Sequence, residues 1–192
     1  MIRGLLLLLS ILMIIVSCSA QSVETPEKLN ARALQILQSP QDQRDLKTAL
    51  KLTGQALKQD SEYLPARSTR INIFLQMDRL DQVLGEAREI LAVNDTPENQ
   101  LYACMAREVA EPGWQGQVKC YLKVAQRMED EKPDPLMNPT YLMAIKLAGV
   151  IGFKEAAWSY IKNQKSEAAR EMAKYMFIES TRDDILQKYF SR

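Results

Sequence analysis

The chain has 192 residues, with 25 Lys and Arg against 24 Asp and Glu, a formal net charge of +1, and 46% hydrophobic residues. Charge this balanced gives no electrostatic case for nucleic acid and no polybasic hold on anionic lipid. Histidine is absent, which excludes serine–histidine and cysteine–histidine catalysis within the chain and removes the commonest metal ligand.

Met1, Ile2 and Arg3 lead into an apolar stretch from Gly4 to Val16 broken only by Ser10. One cation followed by about a dozen apolar residues is the pattern of an export signal. A helix over 4–16 would reach only about 20 Å at 1.5 Å per residue. A permanent span asks for roughly 20 residues to cross the ~30 Å hydrocarbon core.

The stretch ends in Ile15-Val16-Ser17-Cys18. This resembles the bacterial lipobox: an aliphatic residue three places before the cut, small residues at it, and cysteine after it. The resemblance implies removal of residues 1–17 and a diacylglycerol thioether on Cys18, the only covalent group expected; no other cofactor or metal is. A plain secretory signal, cut after Ala20, is the alternative. Ser19 stands where the inner-membrane retention signal of enterobacterial lipoproteins has aspartate. In a Gram-negative host the resemblance therefore implies outer-membrane delivery, with the domain facing the periplasm. Residues 18–24 then form a lipidated tether and 25–192 the folded domain, with a possible sub-boundary at 129–137.

From there the signals are helical, with no sustained period-two alternation to suggest strands. Thr25-Pro26-Glu27 supplies an N-cap, a proline at the first helical position and early negative charge, opening a helix to about Gln38. Ser39-Pro40 repeats the start signal before a helix from about Asp42 to Gln59. Further helices are predicted over Tyr63–Met77, Arg79–Val93, Pro97–Ala110 and Gln115–Met128. After Pro133-Asp134-Pro135 come Pro139–Ile151, Lys154–Gln164, Glu167–Ile178 and Arg182–Phe190. The expected fold class is all-α, with about ten helices stacked as antiparallel hairpins.

Leu46, Ala49, Leu50, Leu57 and Asp60 recur 34 positions later as Leu80, Val83, Leu84, Leu91 and Asn94. One hairpin cannot bury its apolar face alone, so hairpin repeats stack into a continuous core. On these residues, and on Phe74 and the turn Gly152-Phe153-Lys154-Glu155, the chain resembles tetratricopeptide-repeat proteins over about 42–128, and weakly over 138–164. Ile71 and Met105 depart from the pattern where a small residue is usual, as does Arg67 where an aromatic is usual. The resemblance implies a concave face lined by the first helix of each hairpin. Its groove positions fall on Ser68, Asn72, Leu75, Asn99, Tyr102 and Ala106, a mixed lining suited to a peptide or partner helix.

Cys104 and Cys120 lie eight residues either side of Pro112, so an antiparallel hairpin places them at the same height. In an oxidising compartment they are expected to form a disulfide. The aromatics are expected in packing, with Trp114 the most exposed, and Arg182-Asp183-Asp184 as a solvated helix end. With no paired catalytic arrangement, phosphate loop, Cys-x-x-Cys or calcium loop, no enzymatic activity or small-molecule substrate is expected. The reading is a lipid-anchored protein-interaction scaffold, an assembly or pilot factor for an envelope machine such as a pilus, secretion or outer-membrane assembly system. Its expected partner is a protein, and the short tether favours one that is itself membrane-bound. The alternative is an immunity lipoprotein that neutralises a toxin delivered to the periplasm.

Overall fold

The computed structural model describes residues 23–40, 44–131 and 134–190; the expected export signal, Cys18 and Asp42 lie outside them. The described chain is all-helical: α1 (Pro26–Gln38), α2 (Leu46–Gln59), α3 (Leu64–Gln76), α4 (Leu80–Val93), α5 (Pro97–Ala110), α6 (Gln117–Glu131), α7 (Pro139–Ala148), α8 (Phe153–Lys162), α9 (Glu167–Lys174) and α10 (Arg182–Tyr189). A short 3-10 turn at Pro135–Met137 precedes α7, and a π-helical stretch at Tyr175–Glu179 extends α9.

Caps set most of these limits. Thr25, Thr96 and Asn138 each cap a helix whose next residue is proline, satisfying otherwise orphaned N–H groups at ends where proline has none to offer. Helix α2 starts at Leu46 because Asp45 caps it, accepting from the Thr48 amide at 3.0 Å and the Thr48 hydroxyl at 2.6 Å. Helix α7 stops short of Ile151 because Gly149 turns left-handed, with φ 72°, a conformation that favours glycine. Gly152, at φ 85°, opens α8 in the same way.

Consecutive helices pack as neighbours from α1 through α9, and α1 also packs on α3 and α5 on α7, so the hairpins stack. Helices α2 and α4, 14 residues each, begin 34 positions apart at Leu46 and Leu80. They end alike: the Asp60 amide donates to Ala56 and the Asn94 amide to Ile90.

Two apolar clusters make the core. The smaller joins α1, α2 and one side of α3 through Leu29, Ala33, Ala49, Leu52, Ala56 and Ile73. The larger begins at Ile71, Phe74 and Leu75 on the other side of α3 and continues to Phe190, passing across 129–137. Helix α3 is thus apolar on opposite sides because it is a partition, a pattern expected of helices buried within a fold. Fully burying one such large side chain contributes about 1.5–3 kcal/mol.

The departures from the repeat pattern have local reasons. Ile71 and Met105 are core residues, 0% and 2% exposed. Arg67, with Arg70, holds the buried Glu86 of α4: Arg70 Nε lies 2.6 Å and Arg67 Nη1 3.2 Å from its two carboxylate oxygens. An ion clasp therefore ties α3 to α4 at the position where the repeat family usually has an aromatic.

Candidate functional site

Of the six residues expected to line the groove, Ser68, Asn99 and Tyr102 come together around a concavity of about 300 Å³ shared by α3, α4, α5, α7 and α10. Ser68 and Tyr102, 34 positions apart, touch directly: the Tyr102 hydroxyl donates to the Ser68 carbonyl at 3.5 Å. The Asn99 amide side chain is engaged locally, donating to the Asn94 carbonyl at 2.7 Å. Asn72 is half-buried and donates to the Ser68 carbonyl at 3.4 Å. Leu75 and Ala106, at 3% and 0% exposure, belong to the core instead of a groove wall. They face inward because α3 and α5 each pack against helices on more than one side.

The chain's own C-terminal segment occupies part of this face. Phe190 is buried, and its ring centroid lies 5.0 Å from that of Tyr102 at an interplanar angle of 39°. At the other end of α10, Arg182 makes a two-pronged pair with Glu108 of α5, Nε to Oε1 at 2.6 Å and Nη2 to Oε2 at 2.7 Å. Its remaining Nη1 donates to the Leu147 carbonyl, and its guanidinium sits 5.4 Å over the Tyr121 ring. Tyr121 donates to Glu108 as well, at 2.5 Å. Burial, then the bond to the Glu108 carboxylate, pushes the Tyr121 phenol above its ordinary range; burial does the same to Tyr102.

Lys146 completes the arrangement. Its ammonium donates to the carbonyls of Met176, Phe177 and Ser180 at 2.9, 2.9 and 2.7 Å, satisfying acceptors at the end of the π-helical stretch. Burial lowers its pKa, against the raising effect of Asp184. Arg182, expected at a solvated helix end, is thus a tertiary pin. No local pattern reveals it, because its partner lies on α5. The neighbouring Thr181 and Asp184 form a reciprocal capping box, and the spacing Thr-x-x-Asp does signal that.

A second concavity, of about 450 Å³, lies between α4, α5 and α6. Its α5 residues are Gln100, Ala103, Cys104 and Arg107, whereas the first concavity uses Glu98, Asn99, Leu101, Tyr102 and Met105. At 3.6 residues per turn these sets fall on opposite flanks of the helix. Its apolar lining comes from Leu84 and Leu91 of α4 and Val124 of α6. The disulfide between Cys104 and Cys120 borders it, joining α5 to α6 with Cα atoms 5.9 Å apart.

Trp114 closes one end. The Arg107 guanidinium lies 4.4 Å over its ring and is itself held by Glu111 at 2.9 Å. A Cβ at Gly116 would stand 2.5 Å from the indole nitrogen, so glycine there leaves room for the ring. Trp158, 42% exposed, is the more exposed tryptophan, contrary to expectation; Trp114 is half-buried by its contact with Arg107.

Chemically, one concavity is a partly filled polar hollow and the other an apolar cleft with a cationic rim. Among the described residues no cluster of three carboxylate or sulfur ligands could hold a metal, and no helix is long and apolar enough to cross a membrane. No protein family, curated protein or solved structure matches the chain.

Proposed function

We propose that this chain is a lipid-anchored, non-enzymatic scaffold of the cell envelope that binds a protein partner through its helical hairpins, as an assembly or pilot factor for an envelope machine. The observation that carries the reading is the order of parts: a lipobox-like Ile15-Val16-Ser17-Cys18 stands only a few residues before α1, which opens at Pro26. Two or more acyl chains give stable membrane residence. The stretch from Ser19 to Glu24 spans at most roughly 20 Å when extended. A tether that short confines the domain near the bilayer, raising its effective concentration toward a partner in the same membrane. The stack of hairpins supplies concave surface, which suits binding.

The test is cross-linking in the native envelope, followed by isolation of the acylated protein and identification of what accompanies it. Reproducible recovery of a pilus, secretion or outer-membrane assembly component is the expected result. Recovery of a lone toxin would transfer the assignment to the immunity reading, and recovery of nothing would defeat both. In parallel, Cys18→Ala should leave the helical domain folded but release it from the membrane fraction. Unchanged membrane localisation of that variant would overturn the anchor.

A further inference from the structure

The cleft between α4, α5 and α6 has a chemistry that the scaffold reading does not specify. Its floor is apolar, from Leu84 and Leu91 of α4, Ala103 of α5 and Val124 of α6. Its rim carries Arg88, Arg107 and Lys123, and no carboxylate lines it. Glu111 pairs with Arg107 at the rim itself, whereas Glu86 is held between Arg67 and Arg70 and Asp95 by Arg127, which leaves Arg88 and Lys123 as the uncompensated rim cations. Arg88 and Lys123 are exposed and make no ion pair among the described residues. In a chain with 25 basic and 24 acidic residues, this is a local excess of positive charge around an apolar hollow.

We propose that this cleft docks a partner segment presenting a large apolar side chain flanked by carboxylates, that is, an acidic amphipathic peptide or helix. The proposal rests on the scaffold reading and names the surface and the partner's chemistry. Charge sign selects the partner: an apolar anchor enters the floor while its acidic neighbours meet Arg88 and Lys123. Such rim pairs act mainly on encounter and discrimination, and the desolvated anchor supplies most of the affinity.

The cleft is built to keep its shape. The Cys104–Cys120 bridge fixes α5 against α6, and Trp114 is held between the Arg107 guanidinium and the backbone at Gly116. A site rigid before binding loses less entropy on binding. Trp and Arg are also the residues over-represented where side chains anchor protein interfaces. On the opposite flank of α5, Phe190 of the chain itself already stacks on Tyr102.

A single acyl chain with its carboxylate shares the same chemistry, apolar body and anionic head. Small-ligand sites bury most of their ligand's surface, whereas this cleft has exposed Arg88 and Lys123 along its edges. That geometry suits one or two side chains projecting from a larger body, so the structure favours the peptide.

The experiment is selection of a random 16-residue peptide library, displayed on phage, against the full chain in phosphatidylcholine nanodiscs. A parallel selection uses the R88E/K123E double variant, whose far-UV circular dichroism should match the wild type because both positions are exposed. Enriched peptides should carry Asp and Glu around a large apolar residue and bind the double variant at least tenfold more weakly by fluorescence anisotropy. Replacing their acidic residues by lysine should restore binding to the variant. Enrichment of basic or uncharged peptides, undiminished binding of acidic peptides to the variant, or no enrichment at all would overturn the proposal. So would stoichiometric oleate binding, by equilibrium dialysis, that the double variant abolishes, since the cleft would then serve a lipid. Cross-linking in the envelope separates this from the scaffold reading. If wild type and variant capture the same partner equally, the cleft assignment fails and the scaffold stands. If neither captures one, the scaffold fails, and the peptide selection still judges the cleft.

Discussion

Arg182 and Glu108, 74 residues apart in the chain, meet through two parallel charge-assisted bonds of 2.6 and 2.7 Å. A fork of this kind fixes both distance and orientation, and it fastens the start of α10 to α5. Glu108 simultaneously accepts from the buried Tyr121, so one carboxylate gathers α5, α6 and α10. Arg182→Ala should lower stability to urea by about 1.5–3 kcal/mol, the range for losing hydrogen bonds to a charged group. Amides of 182–189 should also exchange faster than those of α5. An unchanged urea midpoint would show that α10 is held by Phe190 and Ile185 alone.

The bridge between Cys104 and Cys120 closes a loop of 16 residues in sequence separation. On the chain-entropy estimate, cross-linking a loop of that size stabilises by about 3 kcal/mol. Reduction, or Cys104→Ser with Cys120→Ser, should lower the unfolding free energy by about that amount. Mass spectrometry should show a gain of about two mass units on reduction as the disulfide takes up two hydrogens. No change in mass would mean that the isolated protein carries free thiols.

Much of the helical plan is legible because its punctuation is local. Thr25-Pro26, Thr96-Pro97 and Asn138-Pro139 pair a cap with a proline, and both act within one turn of helix. The errors occur where a tertiary partner or a competing cap decides. Asp45 caps α2 through Thr48, so the helix opens at Leu46. Leu75 and Ala106 have groove spacing, yet neighbouring helices bury them. Arg67 reads as a departure from a packing pattern until Glu86 is seen on the facing helix.

The site was legible only in part for the same reason. Ser68 and Tyr102 carry the 34-residue period and do meet. What covers their neighbourhood depends on where α10 folds back, and that is set by Arg182 and Phe190 across long separations. The cleft on the other flank of α5 combines three helices and a disulfide. No single segment displays it, although Arg88, Arg107 and Lys123 are each visible as cations on predicted helices.

Glu86 supplies the next test. Its side chain is 10% exposed, and its arginine partners are 13% and 20% exposed. Removing one member of a buried ionic cluster strands the others, typically at about 3–5 kcal/mol. Glu86→Ala should therefore destabilise by about 3 kcal/mol in urea unfolding. Arg67→Ala should cost less, because Arg70 still holds the carboxylate at 2.6 Å. If the two substitutions cost the same, Arg67 rather than Arg70 is the dominant partner.

Alkaline pH should expose the buried phenols. Tyr102 and Tyr121 are both held above the ordinary tyrosine range, chiefly by burial, and Tyr121 further by Glu108. Their folded pKa values exceed the unfolded value of about 10, so the native state retains protons that the unfolded chain releases. The associated stability is fully present below pH ~10 and declines as pH rises beyond it, by about 1.4 kcal/mol per pH unit for each tyrosine until its folded pKa is reached. Lys146 works in the opposite sense, since its folded pKa is lowered and the unfolded chain binds its proton more readily. Tyr63 and Tyr141 are raised in the same sense as Tyr102 and Tyr121, so the tyrosines outweigh the one lysine and urea stability should hold up to about pH 9.5 and then fall. Tyr121→Phe should make that fall shallower. An equally steep decline in the phenylalanine variant would place the alkaline sensitivity elsewhere than at the junction of Tyr121, Glu108 and Arg182.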